Sequence, residues 1–266
     1  SGVFLCPQHT YLTYLKIPTP VNKYTRQLDY IPHPSTLKHS NKRVLNMAKA
    51  FAWSYSALTG YETCPRQFYH LRVAKDIKEK PSPAMLEGNR VHKDLELRVK
   101  DGRPLPKDLK QHETLCKKFI NAKGVTTAEQ KLALTADLEE TTYFAKDVWL
   151  RGVFDVVNIN GAVGKIFDYK TGKRKPDSTQ LKLFAAMAFA RWPQLERVDT
   201  TFLWLKSKEV DKQSFTTEDI PLIWQEFEPR VAAMEEAKET DYYPCRPSGL
   251  CRGWCSVNSC EHWEAK

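Results

Sequence analysis

Two aspartates and a lysine flank the clearest turn signal of this chain. Asp155 precedes the dipeptide Asn160-Gly161, and Asp168 and Lys170 follow it. The runs on both sides are apolar and β-branched, so the dipeptide predicts a β-hairpin. A strand places every second residue on one face, which puts Lys170 beside Asp168.

The predicted hairpin brings three charged side chains to one place. A close two-residue turn would put Asp155 opposite Ile166, with Asp168 two positions further on the same face. Two carboxylates on a half-buried sheet face repel each other and lose hydration. Mg²⁺ and Mn²⁺ would compensate, because they prefer oxygen ligands and leave positions for water and a phosphate oxygen. Lys170 would then orient the attacking water or stabilise charge on the phosphate, whereas the triplet alone also fits an exposed salt bridge.

A histidine upstream offers a third ligand. Residues 82–100 carry apolar side chains at helical spacing, and within them His92 and Glu96 are four apart, hence on one helix face. A neutral imidazole nitrogen could complete the ligand set of the cation. The alternative is a packed or solvated histidine.

The order of these motifs resembles the RecB-like nucleases of the PD-(D/E)xK superfamily, from about Ser54 to Trp263. In chain order the motifs are an N-terminal helix with Cys64, Arg66 and Tyr69, the His92 helix, the strands of Asp155 and Asp168, and a helix that begins near Gln180. The resemblance implies an α/β fold: a mixed central sheet flanked by helices, with a helical insertion and a Cys-rich C-terminal segment.

The resemblance also implies a metal-dependent deoxyribonuclease. His92, Asp155 and Asp168 would bind Mg²⁺ or Mn²⁺, and the two aspartates would act in catalysis together with Lys170. Gln180 would position the DNA strand or the lysine.

Two further side chains are candidates for contact with DNA. Arg66 and Tyr69 belong to an aromatic and basic segment of the N-terminal helix, a mixture that suits single strands. Packing of that helix is the alternative. Phe184 stands where many relatives carry tyrosine, which puts one DNA contact in doubt.

Cys245, Cys251, Cys255 and Cys260 crowd into sixteen positions near the C-terminus. A zinc knuckle and disulfides are the local interpretations, and a reducing cytosol disfavours disulfides. The resemblance adds a third interpretation. In its iron-sulfur branch, which includes the AddB nuclease domain and the CRISPR adaptation nucleases, one cysteine of the N-terminal helix joins three C-terminal ones around a [4Fe-4S] cluster.

In this chain the resemblance makes Cys64, Cys251, Cys255 and Cys260 the four ligands of the cluster. Cys245 would be a spare thiol. The spacing Cys251-x3-Cys255-x4-Cys260 differs from the usual x2 and x5, so Zn²⁺ and the absence of any metal remain alternatives.

Composition agrees with a DNA-binding protein without deciding the matter. The 266 residues carry a formal net charge of +9, and no apolar stretch reaches membrane-spanning length. The chain lacks a Gly-x4-Gly-Lys-Ser/Thr loop, so a helicase or recombination protein would be a separate partner. We expect a cytoplasmic protein of a bacterial or phage-infected cell.

Residues 1–46 differ from the body, 47–266, in being rich in proline and basic. Ser1-Gly2 resembles a tag remnant and Met47 would make a natural start, so one hypothesis treats the segment as non-native. The other hypothesis is a native basic arm for DNA or a partner subunit.

The rest of the pattern predicts an insertion and a helix-strand-helix order. A helical lobe is expected over 107–147, with a strand over 132–142. After the hairpin we expect a helix over 180–192, strands over 198–205 and 208–215, and a helix over 218–238 capped by Thr217.

Together these features predict a stand-alone exonuclease that acts on single-stranded DNA ends in replication, recombination or repair. The alternative is a non-catalytic DNA-binding or assembly module with a structural metal or cluster. A sequence-specific restriction enzyme is a third interpretation, disfavoured because no separate recognition domain is visible.

Overall fold

A six-stranded mixed β-sheet runs through the residues that the computed structural model describes, 52–175 and 177–265. The strands are β1 (Val125–Leu134), β2 (Glu140–Thr141), β3 (Leu150–Asn160), β4 (Val163–Lys170), β5 (Arg197–Trp204) and β6 (Glu209–Thr216). Their order across the sheet is β2-β1-β3-β4-β5-β6, with β4 and β5 parallel and every other pair antiparallel. The predicted extension over 1–46 lies outside the described residues.

Helices cover both faces of this sheet. The α-helices are α1 (Tyr55–Thr63), α2 (Pro65–Phe68), α3 (Pro83–Asp101), α4 (Glu113–Ile120), α5 (Thr179–Arg191) and α6 (Ile220–Glu239). A π-helical turn follows α2 (Tyr69–Val73), and 3-10 turns lie at Lys107–His112, Thr217–Asp219 and Gly249–Cys251. In the described part of the chain, each helix is too short or too polar to cross a bilayer.

One face of the sheet is covered by the crossover helix α5 and by α6. Phe184 of α5 packs on Phe154 of β3 with ring centroids 4.8 Å apart, and Phe227 of α6 is fully buried in the same cluster. The opposite face is covered by α3 and α4, where Leu95 and Phe119 join Val156 and Tyr169 of the sheet. The predicted fold class, a mixed sheet flanked by helices, is confirmed.

The hairpin of β3 and β4 is present, but its register differs from the expected one. Asn160 pairs with Val163, so the turn consists of Gly161 and Ala162. Gly161 takes a left-handed φ of 59°, which glycine adopts without steric cost. The turn therefore begins one residue later than assumed, and Ile166 pairs with Val157 instead of standing opposite Asp155.

The insertion before the hairpin is less helical than expected. Residues 107–120 are helical, but 125–134 form β1, which pairs with β3 in the central sheet. The strand expected over 132–142 is wrong, because the chain turns after Leu134 and adds only the two residues of β2. The β-branched run Val125-Thr126-Thr127, overlooked in the sequence, begins the strand.

The elements after the hairpin follow the expected order, with one difference in capping. Helix α6 is preceded by a capping box in which Thr216 and Asp219 satisfy each other's backbone N–H groups. The expected cap, Thr217, is the first residue of the 3-10 turn. The hydroxyl one position earlier is used because the 3-10 turn over Thr217–Asp219 precedes the α-helix, which begins at Ile220.

Replacing Gly124 by alanine should lower the free energy of unfolding by about 2 kcal/mol or more. Gly124 has a φ of 93°, and a Cβ there would overlap the carbonyl oxygen of Ile159 and lie 2.8 Å from the Cβ of Asn160. Denaturant unfolding followed by circular dichroism measures the loss.

Gly102→Ala is the matched control for this prediction. Gly102 has a φ of 70°, but a Cβ there would meet no atom within 4 Å. It should therefore cost only the backbone strain, about 1 kcal/mol. Equal losses in the two variants would contradict the overlap at Gly124.

Candidate active site

The site lies where β3 and β4 separate. Their ladder ends at the pair Val156 and Phe167, so the next residues, Asp155 and Asp168, face each other across an opening fork. Beyond this point β4 continues against β5. The backbone N–H of Tyr169 donates to Asp155 Oδ2 at 2.6 Å, so a carboxylate takes the place of a strand carbonyl.

The strand alternation breaks at Asp155. Phe154 packs on α5, whereas Val156, two positions on, belongs to the cluster with α3. In a regular strand the two would share a face. The opposite strand is irregular at the same level, because Glu129 has a φ of 51° between the pairs Ala128-Val156 and Gln130-Phe154.

Helix α3 presents His92 to this fork. His92 Nδ1 lies 3.1 Å from Asp155 Oδ1. Burial disfavours the protonated ring, but the hydrogen bond and charge of Asp155 outweigh it and raise the pKa of His92. Gly88 lets the helix come close, because a Cβ there would lie 3.0 Å from Thr171 Oγ1.

Asp168, Lys170 and Gln180 form a second group on the other side of the fork. Lys170 Nζ lies 2.7 Å from Asp168 Oδ2 and donates to Gln180 Oε1 at 2.8 Å. Gln180, in the first turn of α5, donates from Nε2 to Asp168 Oδ1 at 3.4 Å. The ammonium also lies over the ring of Phe202, 4.4 Å from its centroid.

Asp168 is a buried carboxyl with a perturbed pKa. Burial raises the pKa from 3.8 to about 6; Lys170 lowers it and the neighbouring Asp155 raises it. Its Oδ2 is buried without a well-aligned hydrogen bond, although Lys170 is close in the ion pair. Ionised Asp168 is therefore only partly compensated by the protein.

The donor set fits a divalent cation. Two carboxylates that repel each other, one of them buried with a raised pKa, stand beside an imidazole. Oxygen ligands with one imidazole suit Mg²⁺ or Mn²⁺. The structure thus brings together all five residues predicted for the centre, namely His92, Asp155, Asp168, Lys170 and Gln180.

Two glutamates near the fork have no role in the sequence-based prediction. Glu129 is half-buried, and burial raises its pKa, with the charges of Asp155 and Glu96 adding to the shift. Glu96 is buried on α3 and accepts from Lys93 Nζ at 2.7 Å. The four-residue spacing placed Glu96 on the face of His92, but nothing in the sequence signalled Glu129.

Comparison with known proteins decides the family. The chain matches the family model of the PD-(D/E)XK nuclease superfamily over residues 52–260. The protein belongs to this superfamily. Asp168-Tyr169-Lys170 has the acid-x-Lys pattern of the family's name. Nucleases of this superfamily generally use divalent metal ions.

Sequence comparison with curated proteins gives no match. Two solved structures are similar to this chain at 12% sequence identity. For SSO0001 the TM-score is 0.41, and the alignment covers 83% of this chain and 91% of SSO0001. For the Eubacterium rectale protein named "Putative exonuclease" the TM-score is 0.44, and the alignment covers 78% of this chain and 85% of that protein.

A second cluster of candidate functional side chains lies at the C-terminal segment. A cavity of about 260 Å³, counted with the solvent at its mouth, is lined by five cysteines: Cys64, Cys245, Cys251, Cys255 and Cys260. Burial raises the pKa of the Cys255 thiol, and the surrounding thiols add to the shift. The four predicted cluster cysteines therefore do share one cavity.

Cys245 shares this cavity although it was predicted to be a spare thiol. Its Sγ lies 3.7 Å from that of Cys260 and within 4.8 Å of ligand atoms of Glu261 and His262. Burial, followed by the hydrogen bond with Cys260, raises the pKa of Cys245 to about 11.

The two predicted DNA-contact residues of the first helices lie beside this cavity. Arg66 lines it, and its backbone N–H donates to the Pro244 carbonyl at 3.2 Å. Tyr69 packs on Tyr243 with ring centroids 4.9 Å apart. Both residues join α2 and the π-helical turn to the C-terminal segment, and their contact with DNA stays a prediction.

Asp168→Asn should stabilise the metal-free protein at neutral pH. A carboxyl whose pKa is raised in the folded state binds its proton more tightly there, so ionisation costs stability once the pH exceeds the unfolded value of 3.8 and the full cost applies above about 6. The amide removes that charge, and the gain is at most about 3 kcal/mol. Thermal melting in EDTA at pH 5 and pH 7.5 measures it.

Mn²⁺ supplies the second half of this test. It should raise the melting temperature of the wild type and leave that of Asp168→Asn unchanged. Asp199→Asn is the matched control, because Asp199 is a buried strand aspartate whose pKa is lowered by Ser214 and Lys212 against the effect of burial. That variant should lose stability at pH 7.5, and a gain in both variants would contradict the interpretation of Asp168.

Proposed function

We propose that this protein is a metal-dependent deoxyribonuclease and acts as an exonuclease on single-stranded DNA ends. The observation that carries the proposal is the position of Lys170, held between Asp168 and Gln180 beside the His92 and Asp155 pair. A structural salt bridge alone would not require a second buried aspartate and a histidine at the same fork.

His92, Asp155 and Asp168 would hold the cation. When bound, a divalent ion polarises a phosphate oxygen and lowers the pKa of coordinated water. Asp155 is fixed for this role at two atoms, since Oδ1 contacts His92 and Oδ2 accepts from Tyr169.

Lys170 would neutralise the negative charge that develops on the phosphate during attack. Gln180 keeps the ammonium in place through its Oε1 and reaches Asp168 with its Nε2, so it is a positioning residue. The ring of Phe202 beneath the ammonium removes water from one side and strengthens its field.

Lys170→Ala should reduce degradation of end-labelled single-stranded DNA by about a hundredfold or more in Mg²⁺ or Mn²⁺. The loss follows from removing the only cation that the structure places between Asp168 and Gln180 within the described residues. Lys165→Ala, on an exposed position of the same strand, is the matched control and should cleave normally.

Two outcomes would separate the parts of the proposal. Equal degradation by wild type and Lys170→Ala would leave a non-catalytic DNA-binding or assembly module. Degradation of a circular single strand as fast as of a linear one would rule out exonuclease action and retain the nuclease.

We also propose that Cys64, Cys251, Cys255 and Cys260 hold a [4Fe-4S] cluster. The four thiols line one cavity, and four thiolates are the common ligand set of such a cluster. It would close a loop between Cys64 and Cys251, and long loops gain most from such a link.

Anaerobically purified protein should therefore be brown, with a broad visible absorption and four irons per chain. Cys64→Ser and Cys255→Ser should each lose the iron and the colour. Cys116→Ser is the control, because Cys116 is buried outside the cavity. Colourless wild-type protein with stoichiometric zinc would overturn the cluster.

The biological setting that we propose is replication, recombination or repair. A helicase or recombination protein would supply the single-stranded ends on which the nuclease acts.

A further inference from the structure

An exposed aromatic residue lies on the sheet face that carries the candidate active site. Phe144, between β2 and β3, is 80% exposed. Its ring meets the ring of Tyr143 edge to face, with centroids 5.2 Å apart. The exposed ring of Phe144 and the ring of Tyr143 together form an aromatic surface that is open to solvent.

Two basic side chains hold this aromatic pair. Lys131 Nζ lies 5.6 Å from the centroid of the Tyr143 ring, and Arg151 Cζ lies 5.5 Å from it. Arg151 also reaches the Phe144 ring at 6.0 Å. Within the described residues neither cation forms an ion pair with a carboxylate, and the nearby Glu140 is paired with Arg191 at 2.7 Å.

These residues lie on the same sheet face as the active site. Gly152 and Phe154 of β3 face α5, so Arg151 and Val153 point to the opposite face, where α3 brings His92 to Asp155. Lys131 pairs with Val153 and therefore shares that face. Arg151 and Asp155 are four residues apart along the strand, about 13 Å.

We propose that Phe144, Tyr143, Lys131 and Arg151 form a binding track for the single DNA strand that occupies the active site. A base stacks on the exposed ring of Phe144, and phosphates contact the two cations. A stacked strand rises 3.4 Å per nucleotide, so the distance of about 13 Å from Arg151 to Asp155 corresponds to about four nucleotides. This proposal rests on the nuclease function proposed above and adds to it the site that selects single strands.

Single-stranded DNA is the occupant that this chemistry favours. Every base offers a face for stacking, so an aromatic platform binds a single strand without reading its sequence. In a duplex the base faces are covered by their neighbours, and Phe144 would have nothing to stack on. Unpaired lysine and arginine charges beside the platform suit phosphates.

The test measures the affinity for a fluorescein-labelled oligothymidylate by anisotropy, in full-length protein that carries Lys170→Ala so that the DNA stays intact. Phe144→Ala should weaken binding about fivefold to a hundredfold and leave the affinity for a blunt duplex unchanged. Phe144→Trp should retain binding, because its ring also stacks. Tyr242→Ala, which removes an aromatic residue 68% exposed at the end of α6, is the matched control and should bind normally.

The salt dependence of the DNA affinity tests whether Lys131 contacts a phosphate. Lys131→Gln should lower the slope of log affinity against log salt by about 0.7 for a single strand, and Lys131 is exposed, so folding is not at risk. Unchanged single-strand affinity in Phe144→Ala, or an equal loss on the blunt duplex, would overturn the track and leave this surface to a protein partner. Because binding is measured without cleavage, that failure is distinct from failure of the nuclease proposal, which depends on Lys170 alone.

Discussion

The structure depends on one substitution of hydrogen-bond partners, in which the Asp155 carboxylate replaces a strand carbonyl. Asp155 Oδ2 accepts the Tyr169 N–H at 2.6 Å, at the level where the ladder between β3 and β4 ends. A buried backbone N–H needs an acceptor, so the two strands can separate only because this carboxylate supplies one. The separation opens the space between Asp155 and Asp168, and the remaining oxygen of Asp155 is left for His92.

The buried carboxylate and the irregular strands at the site cost stability, and both features are confined to a few residues. Asp168 is buried and its pKa is raised to about 6, mainly by burial. Glu129 on β1 adds a left-handed φ of 51° at the level of Asp155, a conformation that is strained for a residue with a side chain. The rest of the core offsets these costs with large apolar side chains that are fully buried, such as Phe154 and Phe227.

The sequence predicted the components of the site better than their geometry. The hairpin and the helices of His92 and Gln180 follow from local signals, namely an Asn-Gly turn and helical spacing. The role of Gln180 beside Lys170 came from the family resemblance. The register of the hairpin was wrong by one turn residue, because Asn160-Gly161 can occupy the turn in two ways. The break of alternation at Asp155 and the bend at Glu129 result from packing between strands, so a strict period of two could not reveal them.

Helix α1 connects the cysteine cavity with both elements that carry the active site. Two residues before the helix begins, the Trp53 carbonyl accepts from the Arg151 N–H of β3, and the Trp53 N–H donates to the carbonyl of Trp149, just ahead of β3, at 2.8 Å each. Tyr55 donates at 2.9 Å to Asp177, which also accepts the Thr179 N–H at the beginning of α5. At its end the helix delivers Cys64 to the cavity. A metal cluster bound there would fix the far end of α1, and through it the strand of Asp155 and the first turn of the helix that holds Gln180. The cysteines would thus act on the proposed catalysis through the position of these two elements.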